Sequence, residues 1–180
     1  KRGLSNNKNT PQALKAVVSK KAIDLYEEMG VMNSVEIIAR QEIELEEYAH
    51  KVQIEGRVLG DIARNHVIPT AIKYQNTLIQ NVKGLKEVFG SDFKKLAPEQ
   101  IDLIEEISNH ISEINSKVKF MIEERKSANK LEKAQLKAEA YCNKVLPYFE
   151  QIRYHCDKLE LLVEDNIWPL TKYRELLFTR

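Results

Sequence analysis

Apolar residues recur every three or four positions along most of this 180-residue chain, and almost no stretch shows the two-residue alternation of a strand. The pattern is clearest in two segments. In the first segment the repeating positions are Ile104, Ile107, Ile111, Ile114, Val118 and Met121. In the second segment they are Ala134, Ala138, Tyr141, Val145, Tyr148, Ile152, His155, Leu159 and Leu162. Two such stripes, joined by the short segment 127–130, predict two helices that pack as an antiparallel hairpin.

Capping residues and helix breakers divide the chain into four main helices. Thr10 and Pro11 are typical of an N-cap and a first helical position, and Gly30 is typical of a helix end. Asn33 and Glu36, three residues apart, predict a capping box at the start of the second helix. The predicted helices cover about 11–29, 33–89, 98–126 and 131–165, and a short helix is expected after Pro169.

Two prolines lie inside these predicted helices, and each ends a similar string, "NHVIP" at Pro69 and "NKVLP" at Pro147. In the second helix the apolar stripe passes through His66 and resumes at Ala71, a step of five instead of three or four. A proline inside a helix removes one hydrogen bond and crowds the preceding turn, so we predict a kink at each. The predicted fold class is therefore all-α, an antiparallel bundle of four main helices with the long second and fourth helices kinked at Pro69 and Pro147.

Helix lengths predict an uncovered part of this bundle. Pairing through the segment 127–130 puts Pro147 opposite about His110, and early helix two, 33–60, then extends beyond the other helices with only helix one as a partner. A two-helix hairpin buries too little apolar surface to be stable alone, so we expect it to lie on another surface. The tail 166–180 is rich in apolar residues, and two interpretations stay open: packing back on the bundle, or docking onto another domain or subunit.

Composition excludes several functional classes. With 43% hydrophobic and 31% charged residues, the chain has the composition of a globular domain, and its longest apolar run, near 161–163, is too short to cross a bilayer. A net charge of +1 gives no general attraction to nucleic acid or to acidic lipid. Cys142 and Cys156 would stand roughly 21 Å apart on one helix, too far for a disulfide, which fits a reducing cytoplasm.

The histidines are the candidate metal ligands. Sites in helical bundles usually need Glu-x-x-His pairs, and of His50, His66, His110 and His155 only His50 has a glutamate, Glu47, three positions before it. The predicted pairing also separates His66 from His155 by roughly 27 Å, so structural or surface roles are favoured for the histidines. We therefore predict no metal site, no cofactor site and no catalytic residue in these 180 positions.

The sequence also rules out two other kinds of catalytic or cofactor motif. Cys156 beside His155 does not predict a nucleophile and its base, because neighbouring residues on a helix point in different directions. No glycine-rich phosphate loop occurs in the chain.

Two long strings together resemble the C-terminal helical region of the type III glutamine synthetases, which are large bacterial enzymes. They are "IEGRVLGDIARNHVIPTAIKYQNTLIQNVKGLKEVFG", 54–90, and "PYFEQIRYHCDKLELLVEDNIWPLTKYRELLFTR", 147–180, the latter with Thr171 where the family is expected to have a second proline. The resemblance implies a parent enzyme that joins ammonia to glutamate with ATP and Mg²⁺ or Mn²⁺, through a γ-glutamyl phosphate. It also implies a homo-dodecamer of two hexameric rings, with the ligands of metal, nucleotide and glutamate in an upstream catalytic core.

On that resemblance, residues 1–9, which lack an initiator Met, are predicted to be a linker from the catalytic core, and 10–180 a helical bundle with an apolar tail. The expected role is structural: helix one, early helix two and the tail would pack on the catalytic core or on a neighbouring subunit of a cytoplasmic enzyme. Two alternatives stay open, a regulatory binding module of the same enzyme and a freestanding helical adaptor. Nucleic acid and membrane are not expected partners.

Overall fold

A computed structural model describes residues 6–178, with the side chains of residues 173 and 174 outside that description. Within 6–178 every regular element is helical, which confirms the all-α class, while the antiparallel order of the bundle stays a prediction. The α-helices are α1 (Thr10–Val17), α2 (Lys20–Glu28), α3 (Ser34–Ile62), α4 (Ile68–Phe89), α5 (Phe93–Leu96), α6 (Pro98–Asn129), α7 (Ala134–Ala140), α8 (Pro147–Leu162) and α9 (Tyr173–Leu176). Residues 1–5 of the predicted linker and 179–180 of the tail lie outside the described residues.

The described residues form two compact units. Unit 1 comprises 6–57 and 121–148, and unit 2 comprises 58–120 and 149–178. In unit 1, α1, α3 and α7 contribute Leu14, Leu45, Ala134 and Ala138 to one apolar cluster, against which Tyr48 packs. In unit 2, Ile107, Ile114, Val118, Ile152 and Leu159 are each 0% exposed. The stripes predicted for the third and fourth helices therefore mark buried positions in both units.

The prediction of a single first helix, 11–29, is wrong, because the chain breaks between α1 and α2. The side chain of Ser19 accepts a hydrogen bond from the backbone N–H of Ala22 and caps α2, so the serine starts a new helix instead of continuing the old one. The N-cap of α1 is Asn9 and not Thr10, since Asn9 Oδ1 accepts from the N–H of Gln12 at 3.0 Å.

The predicted start of the second long helix is confirmed. The backbone N–H of Asn33 donates to Glu36 Oε2 at 2.8 Å, and the N–H of Glu36 donates to Asn33 Oδ1 at 3.0 Å, which together make the capping box. Gly30, just after α2, has φ of 65°, the left-handed conformation that favours glycine at a helix end.

A π-helical segment lies at each predicted kink, Ala63–Val67 and Tyr141–Val145, and each segment ends two residues before a proline. The bend of the helix at each proline stays a prediction. The N–H of Leu146 donates to the carbonyl of Tyr141, five residues back, at 2.9 Å. Proline has no N–H and its ring crowds the carbonyl four residues earlier, so a wider turn before it relieves the clash. A wider turn also accounts for an apolar stripe that steps by five.

The position of His66 in that stripe was predicted wrongly. His66 is exposed, whereas Ala63 and Val67 on either side of it are buried. The buried line on α3 reaches them through Gly56 and Gly60, which are themselves buried. Because glycines are not counted as apolar positions, the predicted stripe followed larger residues on a neighbouring face of the helix.

The connection between α6 and α7 comprises residues 130–133, later than the predicted 127–130. As a result α7 reaches early α3: Gln41 Nε2 donates to Gln135 Oε1 at 3.2 Å, and Gln135 Nε2 donates to the carbonyl of Pro11 at 3.3 Å. The prediction that 33–60 has only the first helix as a partner is therefore wrong, because α7 contacts it as well.

The tail packs back on unit 2 over part of its length. Trp168 and Lys172 are buried, and the ammonium of Lys172 donates to the carbonyls of Glu160 and Val163 at the end of α8. The short helix α9 follows, as expected after Pro169. Leu176, Leu177 and Phe178 are exposed, so the packing-back interpretation holds for 168–172 and not for the last residues.

Candidate functional site

The described residues bring two histidines into contact in unit 2, and sequence reasoning missed this pair. His110 on α6 and His155 on α8 face each other with their Nδ1 atoms 2.9 Å apart, their ring centroids 5.2 Å apart and their planes at 56°. At that distance one Nδ1 carries a hydrogen and donates it while the other accepts. On its far side, His110 Nε2 lies 3.7 Å from Glu106 Oε1.

The register of α6 against α8 explains why the contact of His110 with His155 was not predicted. A turn centred on 127–130, as predicted, would put Pro147 opposite His110. The turn at 130–133 shifts the pairing and brings His155 to within about one helical turn of the position opposite His110. The signal was present in the sequence, because His155 lies on the buried stripe and His110 is next to Ile111 of the facing stripe.

The surroundings of His155 favour its neutral form. Burial lowers the pKa of His155, repulsion from a protonated His110 and from the ammonium of Lys117 acts in the same direction, and Glu113 opposes them. If both rings were protonated, two N–H donors would point at each other across the 2.9 Å contact. The hydrogen bond between the two Nδ1 atoms therefore requires at least one of the two rings to be neutral. Within residues 6–178 no group of three or more metal-ligating side chains occurs.

The other candidates from the sequence lie apart from this pair. His50 and His66 are exposed. Burial raises the pKa of the Cys156 thiol to about 12, so it stays protonated at neutral pH and is not a nucleophile. Burial, followed by a hydrogen bond with Cys142, raises the pKa of the Tyr48 phenol.

Unit 1 exposes a set of large apolar side chains between positions 25 and 38, which we name the hairpin patch. Its members lie on α2, on the turn that follows and on the first turns of α3: Leu25, Met29, Val31, Val35 and Ile38. Their exposed fractions range from 49% to 74%. Scattered exposed apolar residues are ordinary, but five within fourteen positions of one turn region are typical of a contact surface.

No helix within 6–178 combines the length and the apolar character needed to cross a bilayer.

Comparison with known proteins gives a consistent family. Residues 1–86 match the sequence model of the family described as the glutamine synthetase C-terminal domain. The chain is 44% identical over 181 residues to a protein named glutamine synthetase from Bacteroides fragilis, covering 100% of this chain and 25% of that protein. It is 31% identical over 184 residues to the type-3 glutamine synthetase of Dictyostelium discoideum, covering 99% of this chain and 24% of that protein. A glutamine synthetase of Butyrivibrio fibrisolvens is 25% identical over 179 residues. The chain spans about a quarter of the length of the curated relatives it matches.

Proposed function

The chain is related to the C-terminal domain of the type III glutamine synthetases, as its sequence indicated, and we propose that it is the structural and assembly domain of such an enzyme. The whole enzyme would ligate ammonia to glutamate with ATP and Mg²⁺ or Mn²⁺, in the cytoplasm of a bacterium, as a dodecamer of two hexameric rings. The catalytic residues would lie in the other three quarters of such a polypeptide. The work of these 180 residues would be to hold catalytic bodies together.

The hairpin patch is the observation that carries this proposal. Val35 is 74% exposed and Met29 is 68% exposed, and apolar area left in water costs roughly 25 cal/mol per Å². The relatives extend over about four times the length of this chain, so a large protein surface is at hand to cover the patch. We infer that the catalytic body or a neighbouring subunit covers it in the assembled enzyme.

Two matched substitutions in the full-length enzyme test the proposal. Val35 in the hairpin patch and Val88 near the end of α4 are both 74% exposed. Val35→Asp puts a charge into the covered surface and should shift the mass distribution, measured by mass photometry, toward species smaller than the full assembly. Val88→Asp, outside the patch, should leave the assembly and its activity intact.

Removing the whole region from the enzyme should likewise impair assembly or stability. The proposal fails if Val35→Asp and Val88→Asp give the same particle mass and the same glutamine synthesis rate as the unchanged enzyme.

A further inference from the structure

Within unit 1, α3 and the end of α6 are joined by hydrogen bonds at Asn129. Gln53 Nε2 on α3 donates to Asn129 Oδ1 on α6 at 3.1 Å. The hydroxyl of Tyr141, which is 1% exposed, donates to the same oxygen at 2.6 Å. The contact therefore holds the end of α6, the middle of α3 and the start of the second π segment in one place.

Each of these two helices carries an arginine one turn from the contact. Arg57 follows Gln53 by four residues and Arg125 precedes Asn129 by four, and residues four apart share a helix face. Both guanidiniums act on the same phenol: burial raises the pKa of Tyr141, and the charge of Arg125 and then that of Arg57 oppose the rise. Both positive charges therefore act on the Tyr141 phenol.

Neither charge forms an ion pair within the part of the chain that the structure describes. Among residues 6–178 no ion pair joins Arg57 or Arg125 to a carboxylate, and Nη1 of Arg125 is buried without a hydrogen-bond partner. A guanidinium stays charged at any physiological pH, so it cannot relieve its burial by losing a proton. A buried guanidinium nitrogen normally donates to an acceptor, so the partnerless Nη1 of Arg125, with the charge of Arg57 acting on the same phenol, leaves room for an anion.

We propose that Arg57 and Arg125 bind an oxyanion, a carboxylate or a phosphate group, at this junction of α3 and α6. The planar, forked guanidinium matches the two oxygens of either group. Arg57 and Asn129 are exposed and Arg125 is half-buried, so the site opens to the outside at one end and closes at Tyr141. The hydroxyl of Tyr141 donates its hydrogen bond to Asn129 and so positions the helices, while the two arginines bind the anion. This proposal does not depend on the assembly role, because the hairpin patch comprises other residues.

Hydrogen–deuterium exchange of the full-length enzyme, read by mass spectrometry, tests the site locally. Inorganic phosphate, added at constant ionic strength against chloride, should slow exchange in peptides covering 50–60 and 121–141. Arg125→Gln and Arg57→Gln should each weaken this response by roughly 10- to 100-fold in phosphate concentration, as expected for losing a charged hydrogen bond. Arg125→Lys, which keeps the charge and loses the fork, should fall between. Arg40→Gln, an exposed arginine on the same helix of unit 1, is the matched control and should respond like the unchanged enzyme.

The outcomes of this experiment distinguish a free phosphate from a carboxylate of the enzyme itself. If phosphate has no effect, yet Arg57→Gln and Arg125→Gln speed exchange in these peptides and Arg40→Gln does not, a carboxylate of the enzyme itself occupies the site. If both variants match Arg40→Gln in exchange and in phosphate response, the proposal is overturned. A phosphate response that persists unchanged in Arg125→Gln overturns it too.

Discussion

The ammonium of Lys172 fastens the tail of unit 2 to the end of α8. Its Nζ donates to the carbonyl of Glu160 at 2.7 Å, to that of Val163 at 3.3 Å, and to the carboxylate of Asp165. The last carbonyls of a helix have no partner within it, so the lysine satisfies groups that would otherwise need water. The same ammonium lies 5.9 Å from the ring centroid of Trp168.

Lys172→Met keeps the aliphatic stem and removes the charge and its three donors. Hydrogen bonds to a charged group contribute about 1.5–3 kcal/mol each, and the pair with half-exposed Asp165 adds little, as surface ion pairs contribute about 0–1 kcal/mol. Lifting the tail lets water reach the carbonyls, which limits the loss to about 2–3 kcal/mol. Burial of Trp168 is worth at most about 4–6 kcal/mol before the entropy of ordering the tail is subtracted, so this loss is enough to release it.

The assay follows from the composition, because Trp168 is the single tryptophan of the chain and is 9% exposed. In Lys172→Met we expect a red-shifted emission, faster quenching by acrylamide and a lower urea midpoint. Lys119→Met, at an exposed lysine of α6 in the same unit, should change stability by less than about 0.5 kcal/mol. A Lys172→Met protein with the emission and midpoint of Lys119→Met would refute the reasoning.

Two further predictions concern the buried side of unit 2. Burial and then His110 lower the pKa of His155 below its ordinary 6.5, so the folded form binds fewer protons than the unfolded one between these two pKa values. Stability should therefore hold above about pH 6.5, fall as the pH drops from there toward the folded-state pKa of His155, and level off below it. Urea midpoints across that window should show the fall, and His155→Gln should flatten it; an equal slope in both proteins would contradict the assignment. Ile152→Ala, at a position 0% exposed, should cost about 2–5 kcal/mol, whereas Leu161→Ala, 78% exposed on the same helix, should cost less than about 0.5 kcal/mol by calorimetry. Similar melting temperatures for these two variants would show that the buried stripe of α8 is misassigned.

Sequence periodicity predicted the all-α class and the buried faces of α6, α7 and α8, because large aliphatic residues mark those faces without interruption. It failed where the information lay in small or polar residues. Ser19 caps the start of α2 through its side-chain hydrogen bond, and the pattern of apolar positions contains no information about such a cap. Gly56 and Gly60 hide the buried line of α3, which led to the wrong face for His66.

The candidate sites were harder to predict because they depend on register. A shift of three residues in one connection decides whether His155 lies opposite His110. The convergence of Arg57 and Arg125 depends in the same way on the pairing of Gln53 with Asn129. The hairpin patch was predictable in outline, since an uncovered first hairpin was expected, although α7 contacts the early part of α3 at Gln41.

The two π segments have a consequence for how this sequence can change during evolution. A π turn holds one residue more than the α turn it replaces while turning the chain by nearly the same angle, so the helix that follows keeps its face. Deleting a single residue from 63–67 or 141–145 would restore an α turn and leave the downstream apolar positions on nearly the same face, but the proline ring would then crowd the carbonyl four residues before it. A deletion elsewhere in these helices would turn every downstream position by about 100°. The two π segments are therefore the places in these helices where a change of length by one residue disturbs the packing least.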